Sequence, residues 1–236
     1  MECDDARWRA DGVRHQILLR VLPAQRHDVL GPMAVLRMSL GLLRRQLLAS
    51  PPGIERALDR MQDMDQQLAA ALAALSALRC WDGADSQLTT PASAAAVAGA
   101  LVRTPMSLRG HRLQHAAPPV DGTQEQNDRQ IRKGTDAPGI ELQPALFAAL
   151  GLLLHALDSA AAPTEFTLLP ADWELLLLHR PAPGGGTALV EPAARPVHRQ
   201  ALNWLLDDLG CPLSGQAGQW RLRWPAARAN GSGDQR

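Results

Sequence analysis

Lysine is nearly missing from this chain, and Lys133 is the only one among 24 basic residues. It is followed by Gly134 and preceded by no glycine loop, which excludes a Walker-type phosphate loop. Cysteine is scarce too: Cys3, Cys80 and Cys211 are isolated and odd in number. They exclude a disulfide framework, suit a reducing cytoplasm, and form no paired spacing for a metal. Net charge is also lacking, with 24 basic against 24 acidic residues. That balance argues against a general nucleic-acid binder, which needs many phosphate contacts. The longest apolar run, Ala145 to Leu157, is too short to span a bilayer and reads as a core helix. The first residues, Met1-Glu2-Cys3-Asp4-Asp5, are acidic and do not read as a signal peptide. No membrane and no metal are therefore expected, and the length of 236 residues allows one large or two small domains.

What is present is a strong helical pattern. From Pro23 to Leu48 one helix is expected, with Leu22, Val29, Met33, Leu36, Leu40, Leu43 and Leu47 on a seam. Ser50-Pro51-Pro52-Gly53 breaks it. A second helix follows from about Ile54 to Arg79, with Ile54, Leu58, Met61, Leu68, Leu72 and Leu75 on its seam and Asp65 interrupting it. Two long helices and a tight turn make an antiparallel hairpin. One hairpin buries too little, so two copies are expected to pair into a four-helix bundle.

Beyond Trp81-Asp82-Gly83 the pattern turns mixed. Thr90-Pro91 reads as the N-cap and first residue of another helix. Strands are expected at 111–116, 165–169, 173–179, 212–214 and 219–224, and helices at 141–160 and 200–209. Residues 117–140 read as a long loop and 181–186 as a shorter one. The order suggests an α+β sandwich, one sheet covered by helices. The expected division is a leader at 1–20, the hairpin at 21–82, the sandwich at 83–229 and a disordered tail at 230–236.

The stretch Arg26-His27-Asp28-Val29-Leu30-Gly31-Pro32 carries the chemistry. At about 100° per residue, His27 lies roughly 160° from the seam through Val29 and Leu36, so it points outward. Asp28 stands beside it and is placed to hydrogen-bond one ring nitrogen, leaving the other nucleophilic. The stripe continuing from His27 is Gly31, Ala34, Met38 and Gly41. A solvated helix face normally carries long charged residues. Small residues plus a methionine suggest a surface on which a partner docks.

This stretch resembles the phosphoacceptor box of sensor histidine kinases, which reads His, acidic, three residues, Pro. It lies early in the first helix of a hairpin, where that family carries it. The second part resembles the family's ATPase domain. Gly151-Leu152-Leu153-Leu154-His155-Ala156 looks like its Asn-box, with Gly151 and His155 where asparagines line the nucleotide pocket and help hold Mg²⁺. His155, on an apolar helix, reads as a core histidine rather than a ligand. Leu178 to Gly184 looks like the strand and loop whose Asp reads adenine, with Arg180 in that place. The glycine box expected just before the helix at Ala201 reads Pro196-Val197-His198-Arg199-Gln200, without glycine. Where the family's phosphatase activity uses a Thr or Asn, four residues after the histidine, this chain has Gly31.

The resemblance implies a degenerate histidine-kinase-type ATPase sandwich behind a dimeric four-helix bundle. It implies no ATP, no other cofactor and no autonomous kinase activity. The type it points to is the dimeric histidine phosphotransferase of two-component phosphorelays, in which His27, aided by Asp28, exchanges a phosphoryl group with receiver aspartates. Its expected partners are a second copy and a response-regulator receiver. The alternative is a non-catalytic pseudokinase that binds and regulates a receiver or a sensor kinase.

Overall fold

A computed structural model describes residues 2–49, 53–81, 88–115, 139–171, 173–182, 195–216 and 218–225. The chain forms two compact units, one of residues 21–82 and one of residues 1–20 with 83–236. It is mixed helix and sheet, with long helices first and a small sheet domain after them.

The hairpin unit holds the later part of α1 (Glu2–Leu47), α2 (Ile54–Leu78) and a single 3₁₀ turn at Arg79–Trp81. Partly covered residues repeat in alternating steps of four and three on α1: Gln25, Val29, Pro32, Leu36, Ser39, Leu43 and Gln46. On α2 the matching row is Ala57, Arg60, Met64, Gln67, Ala71 and Ala74. The two rows are tied where Arg60 Nε donates to Gln46 Oε1 at 3.3 Å and where Trp81 Nε1 donates to Gln25 Oε1 at 2.8 Å. This inner seam mixes apolar residues, Val29, Leu36, Leu43 and Met64 among them, with polar and small ones. The seam expected from the sequence therefore divides: Val29, Leu36 and Leu43 are half covered, while Met33, Leu40 and Leu47 stay open. On α2, Ile54, Leu58, Met61, Leu68, Leu72 and Leu75 are all exposed.

The second unit is built on a five-stranded sheet in the order β2-β4-β5-β7-β6. Its strands are β2 (Arg112–His115), β4 (Thr164–Pro170), β5 (Glu174–Pro181), β6 (Leu213–Gln216) and β7 (Gln219–Arg223). Only β2 and β4 run parallel; the other neighbours are antiparallel. A parallel pair needs a crossover, and α4 (Leu142–Ser159) supplies it between them. A separate two-stranded pair, β1 (Leu88–Thr89) with β3 (Ile140–Glu141), was not foreseen in the sequence. Helix α3 (Pro91–Leu108) opens as expected, with Thr90 Oγ1 accepting the Ser93 N–H at 3.1 Å and Pro91 in its first turn. Helix α5 (Arg199–Asp208) is followed by Gly210 at φ 65°, a left-handed backbone that glycine adopts without strain.

Alternation along the strands turns Phe166, Leu168, Leu175, Leu177 and Leu222 into the core. On α4, residues 145–157 are all buried. Among the described residues α4 is the one helix long and apolar enough to cross a membrane. Its burial makes it the central helix of this unit.

Three sequence expectations need comment. The helix expected from Pro23 begins at Glu2, and Pro23 and Pro32 lie inside it. The segment 1–20, read as a leader, is helical and packs into the second unit, with Ala10, Val13 and Ile17 buried. The loop at 117–140 and the tail at 230–236 lie largely or wholly outside the described residues.

Candidate functional site

His27 sits on the exposed face of α1, with 78% of its side chain accessible. Asp28 beside it is half exposed, and its Oδ1 stands 3.7 Å from His27 Nδ1. That is beyond hydrogen-bond length, so the bond expected from the sequence is not made here. Further along the helix a Cβ added at Gly31 or at Gly41 would meet nothing within 4 Å. Ala34 is exposed and Met38 is 67% exposed. Within the hairpin unit the stripe expected for docking is therefore open. Pro32 has no N–H to give, which frees the Asp28 carbonyl from its helical partner next to the histidine.

In the second unit, the positions matched to a nucleotide pocket are spent on the protein's own packing. Gly151 is buried in α4, and a Cβ there would approach Leu205 Cδ2 to 2.8 Å, Leu202 Cδ1 to 3.1 Å and Ile17 Cδ1 to 3.6 Å. One turn on, His155 donates from Nδ1 to the Val197 carbonyl at 2.8 Å and meets Trp220 edge to face. Burial lowers its pKa first of all; the hydrogen bond to Val197 and the charge of Asp158 work against this, and Arg199 and His198 add to it. It is a satisfied core histidine, as its apolar helix suggested.

At the start of the segment 196–200, which the resemblance matches to the glycine box, backbone groups are tied to other parts of this unit. Gln16 of α1 donates to the Arg195 and Pro196 carbonyls at 2.9 and 3.0 Å. The Val197 N–H donates to Asp158 Oδ2 at 2.7 Å. Arg180 lies on β5 and pairs with Glu165 of β4, opposite it in the sheet register, at 2.7 Å. It is engaged across the strands, and no acid stands there to read a base.

Asp158 is the residue that sequence reading missed. Its carboxylate is 3% exposed and takes both Nη atoms of Arg20, at 2.5 and 2.8 Å, together with Arg109 Nη1 at 3.1 Å. It thereby joins α1, the end of α3 and the lead-in to α5. One signal was available. An acid in the last turn of an apolar helix opposes the helix dipole, so it implies cationic partners. Arg14 makes a second such link, to Asp208, and Arg9 lies over the Trp204 ring.

No protein-family model matches the sequence. No curated protein matches it. Among solved structures, a bacterial phosphotransferase is similar over 88% of this chain and 94% of its own, at 12% identity and a TM-score of 0.38. The cytoplasmic segment of the histidine kinase QseC covers 70% of this chain and 94% of its own, at 11% identity and a TM-score of 0.36. The histidine kinase AdeS of Acinetobacter baumannii covers 85% and 98%, at 10% identity and a TM-score of 0.34.

Proposed function

We propose that this chain is a histidine phosphotransfer protein, passing a phosphoryl group to or from receiver aspartates through His27 without using ATP. The observation that carries this reading is the open placement of His27 above an open stripe of Gly31, Ala34 and Met38. An in-line exchange needs a nucleophile that a bulky partner can reach and a smooth surface to seat it. The neutral ring attacks phosphorus with the Nε2 lone pair while Nδ1 keeps its proton. The N–P bond forms, the acyl P–O bond breaks, and the receiver's aspartate leaves as a carboxylate. The positive charge gained by the ring faces Asp28 at 3.7 Å. The receiver brings its own metal ion and lysine, which this chain need not supply. The loss of ATP follows from the crowding at Gly151, His155 and residues 195–197.

We further propose a homodimer through the hairpin. The inner seam covers only part of the apolar pattern, while Met33, Leu40 and Leu47 on α1 and six large residues on α2 lie open. A second hairpin covers both rows and completes a four-helix bundle. The isolated cysteines suit a cytoplasmic site of action.

The test incubates a labelled, phosphorylated receiver with wild type and with His27→Gln. Acid-labile label on the wild type and none on the variant, with dimerisation unchanged, supports transfer. Equal label on both, or none on either across several receivers, removes it. Capture of a receiver without label would then favour a non-catalytic regulator.

A further inference from the structure

Phe166, near the start of β4, lies between two histidines of the second unit. The His111 ring meets it edge to face from the turn that leads into β2, and the His179 ring stacks on it from β5. His179 is the register partner of Phe166. Each of these rings also holds a backbone N–H. The Thr164 N–H donates to His111 Nδ1 at 3.1 Å, and the Gly218 N–H donates to His179 Nε2 at 2.6 Å.

The two bonds fasten the same end of the sheet. β5 runs antiparallel to β4 and β7, so the start of β4, the end of β5 and the start of β7 lie side by side. The first bond ties the turn after α3 to the start of β4. The second ties the β6–β7 turn to the end of β5, where the Gly218 carbonyl also accepts the His179 N–H at 3.0 Å. A ring nitrogen accepts only while it carries no proton. Both rings are therefore neutral here, His111 with its proton on Nε2 and His179 with its proton on Nδ1. A second proton turns each acceptor into a donor that faces a donor. His111 and Thr164 are 3% and 7% exposed, so water does not take up the mismatch and the contact has to open.

The charged groups around the two rings offer a second proton little support. Arg109 shares the turn of His111, and Asp158 at the end of α4 is spent on Arg109, Arg20 and the Val197 N–H. His115 lies further along β2 with Arg103 of α3 near it. Arg199 of α5 and His155 of α4 stand against Trp220, which pairs with Leu177 two residues before His179. Arg112, Glu165 and Arg180 alternate to the opposite face of the sheet, where Gln114 and Arg180 hold Glu165. Burial lowers the pKa of His111 first, Arg109 adds to this, and the backbone of Thr164 works against both. The group of Thr164 that Nδ1 holds is nevertheless its N–H, which opposes a ring that has become a donor.

We infer that His111, Phe166 and His179 form a proton-sensitive clasp at this end of the sheet, in which a proton taken up by either ring releases the backbone it holds while the middle of the sheet stays paired.

The experiment measures amide hydrogen exchange by NMR on the full-length chain between pH 7.5 and pH 5, expressed as protection factors so that the intrinsic pH dependence of exchange cancels. Thr164 and Gly218 should lose protection, by up to about tenfold per pH unit once their ring titrates, while mid-strand amides of β4 and β5 keep theirs. His111→Asn keeps an acceptor near the place of Nδ1 and takes up no proton; it should remove the pH dependence at Thr164 and leave that at Gly218. His179→Gln, with an acceptor near the place of Nε2, should do the reverse. Ring nitrogen shifts of the wild type at pH 7.5 give a readout independent of the variants, and should show a bare Nδ1 on His111 and a bare Nε2 on His179. The opposite tautomers, protection lost equally across the sheet, or a pH dependence at Thr164 that persists in His111→Asn would each overturn the clasp.

Discussion

Asp158 concentrates three partners on one buried carboxylate, and its environment is the most demanding in the second unit. Asp158→Asn removes the charge but leaves Arg20 and Arg109 in place. Breaking a buried ion pair from one side costs about 3–5 kcal/mol. Urea unfolding should show a loss of that order, and a loss below about 1 kcal/mol, the range of an exposed pair, would refute the hub. His155 gives a pH dependence. Its folded pKa lies below the ordinary 6.5, and burial lowers His111 and His115 likewise. Below pH 6.5 the unfolded chain takes up protons that the folded chain refuses. Stability should therefore be full above that pH and fall as the pH drops from 6.5 toward the lowered folded values. His155→Asn, whose amide can still donate toward Val197, should flatten part of that decline in unfolding measurements from pH 7 to 5. At this scale His27, Gly151, His155 and Arg180 are singled out in the sequence because a motif or a missing partner marks each. Asp158 was not, because its partners lie 138 and 49 residues away.

Helix α4 meets α5 and α1 through Gly151, so placing there the asparagine that the resemblance implies tests how tightly this face is packed. The new side chain would run into Leu202, Leu205 and Ile17. Gly151→Asn should destabilise by about 1–3 kcal/mol, the usual penalty of overpacking, and bring no ATP binding by calorimetry. A sub-millimolar Mg²⁺-dependent ATP site, in the variant or the wild type, would overturn the reading. Most elements could be read from the sequence, since α4, β4, β5, α5 and β7 each show their own period and are bounded by turn residues. The start of α1 could not. Proline normally opens a helix or breaks one, which set the expected start at Pro23, whereas α1 runs through it from Glu2. Tertiary packing of Ala10, Val13 and Ile17 outweighs the lost backbone bond. The pair β1–β3 was also missed, because two-residue strands have no period to show.

For the whole molecule, the test of assembly lies on the open rows of the hairpin. Leu40 and Leu72 are 54% and 55% exposed, so a charge at each should leave the isolated hairpin's fold almost untouched. In a four-helix bundle the same charges are buried and unpaired. Leu40→Asp with Leu72→Asp should give a monomer by light scattering at micromolar concentration, with helicity retained by circular dichroism. Wild-type protein that is already monomeric there would sink the dimer. The alternating steps made the hairpin legible in the sequence. That half the seam would turn inward to α2 was not, because both rows carry apolar residues and only packing separates them.

The membership of residues 1–20 in the second unit has a consequence during synthesis. Arg14 reaches Asp208 and Arg20 reaches Asp158, so this helix waits for partners made up to 194 residues later. At roughly 5–20 residues per second that wait lasts on the order of ten to forty seconds. The hairpin, closed by neighbours in sequence, is complete long before. The nascent chain therefore carries the face of Ala10, Val13 and Ile17 uncovered until residues 158 and 208 have been made.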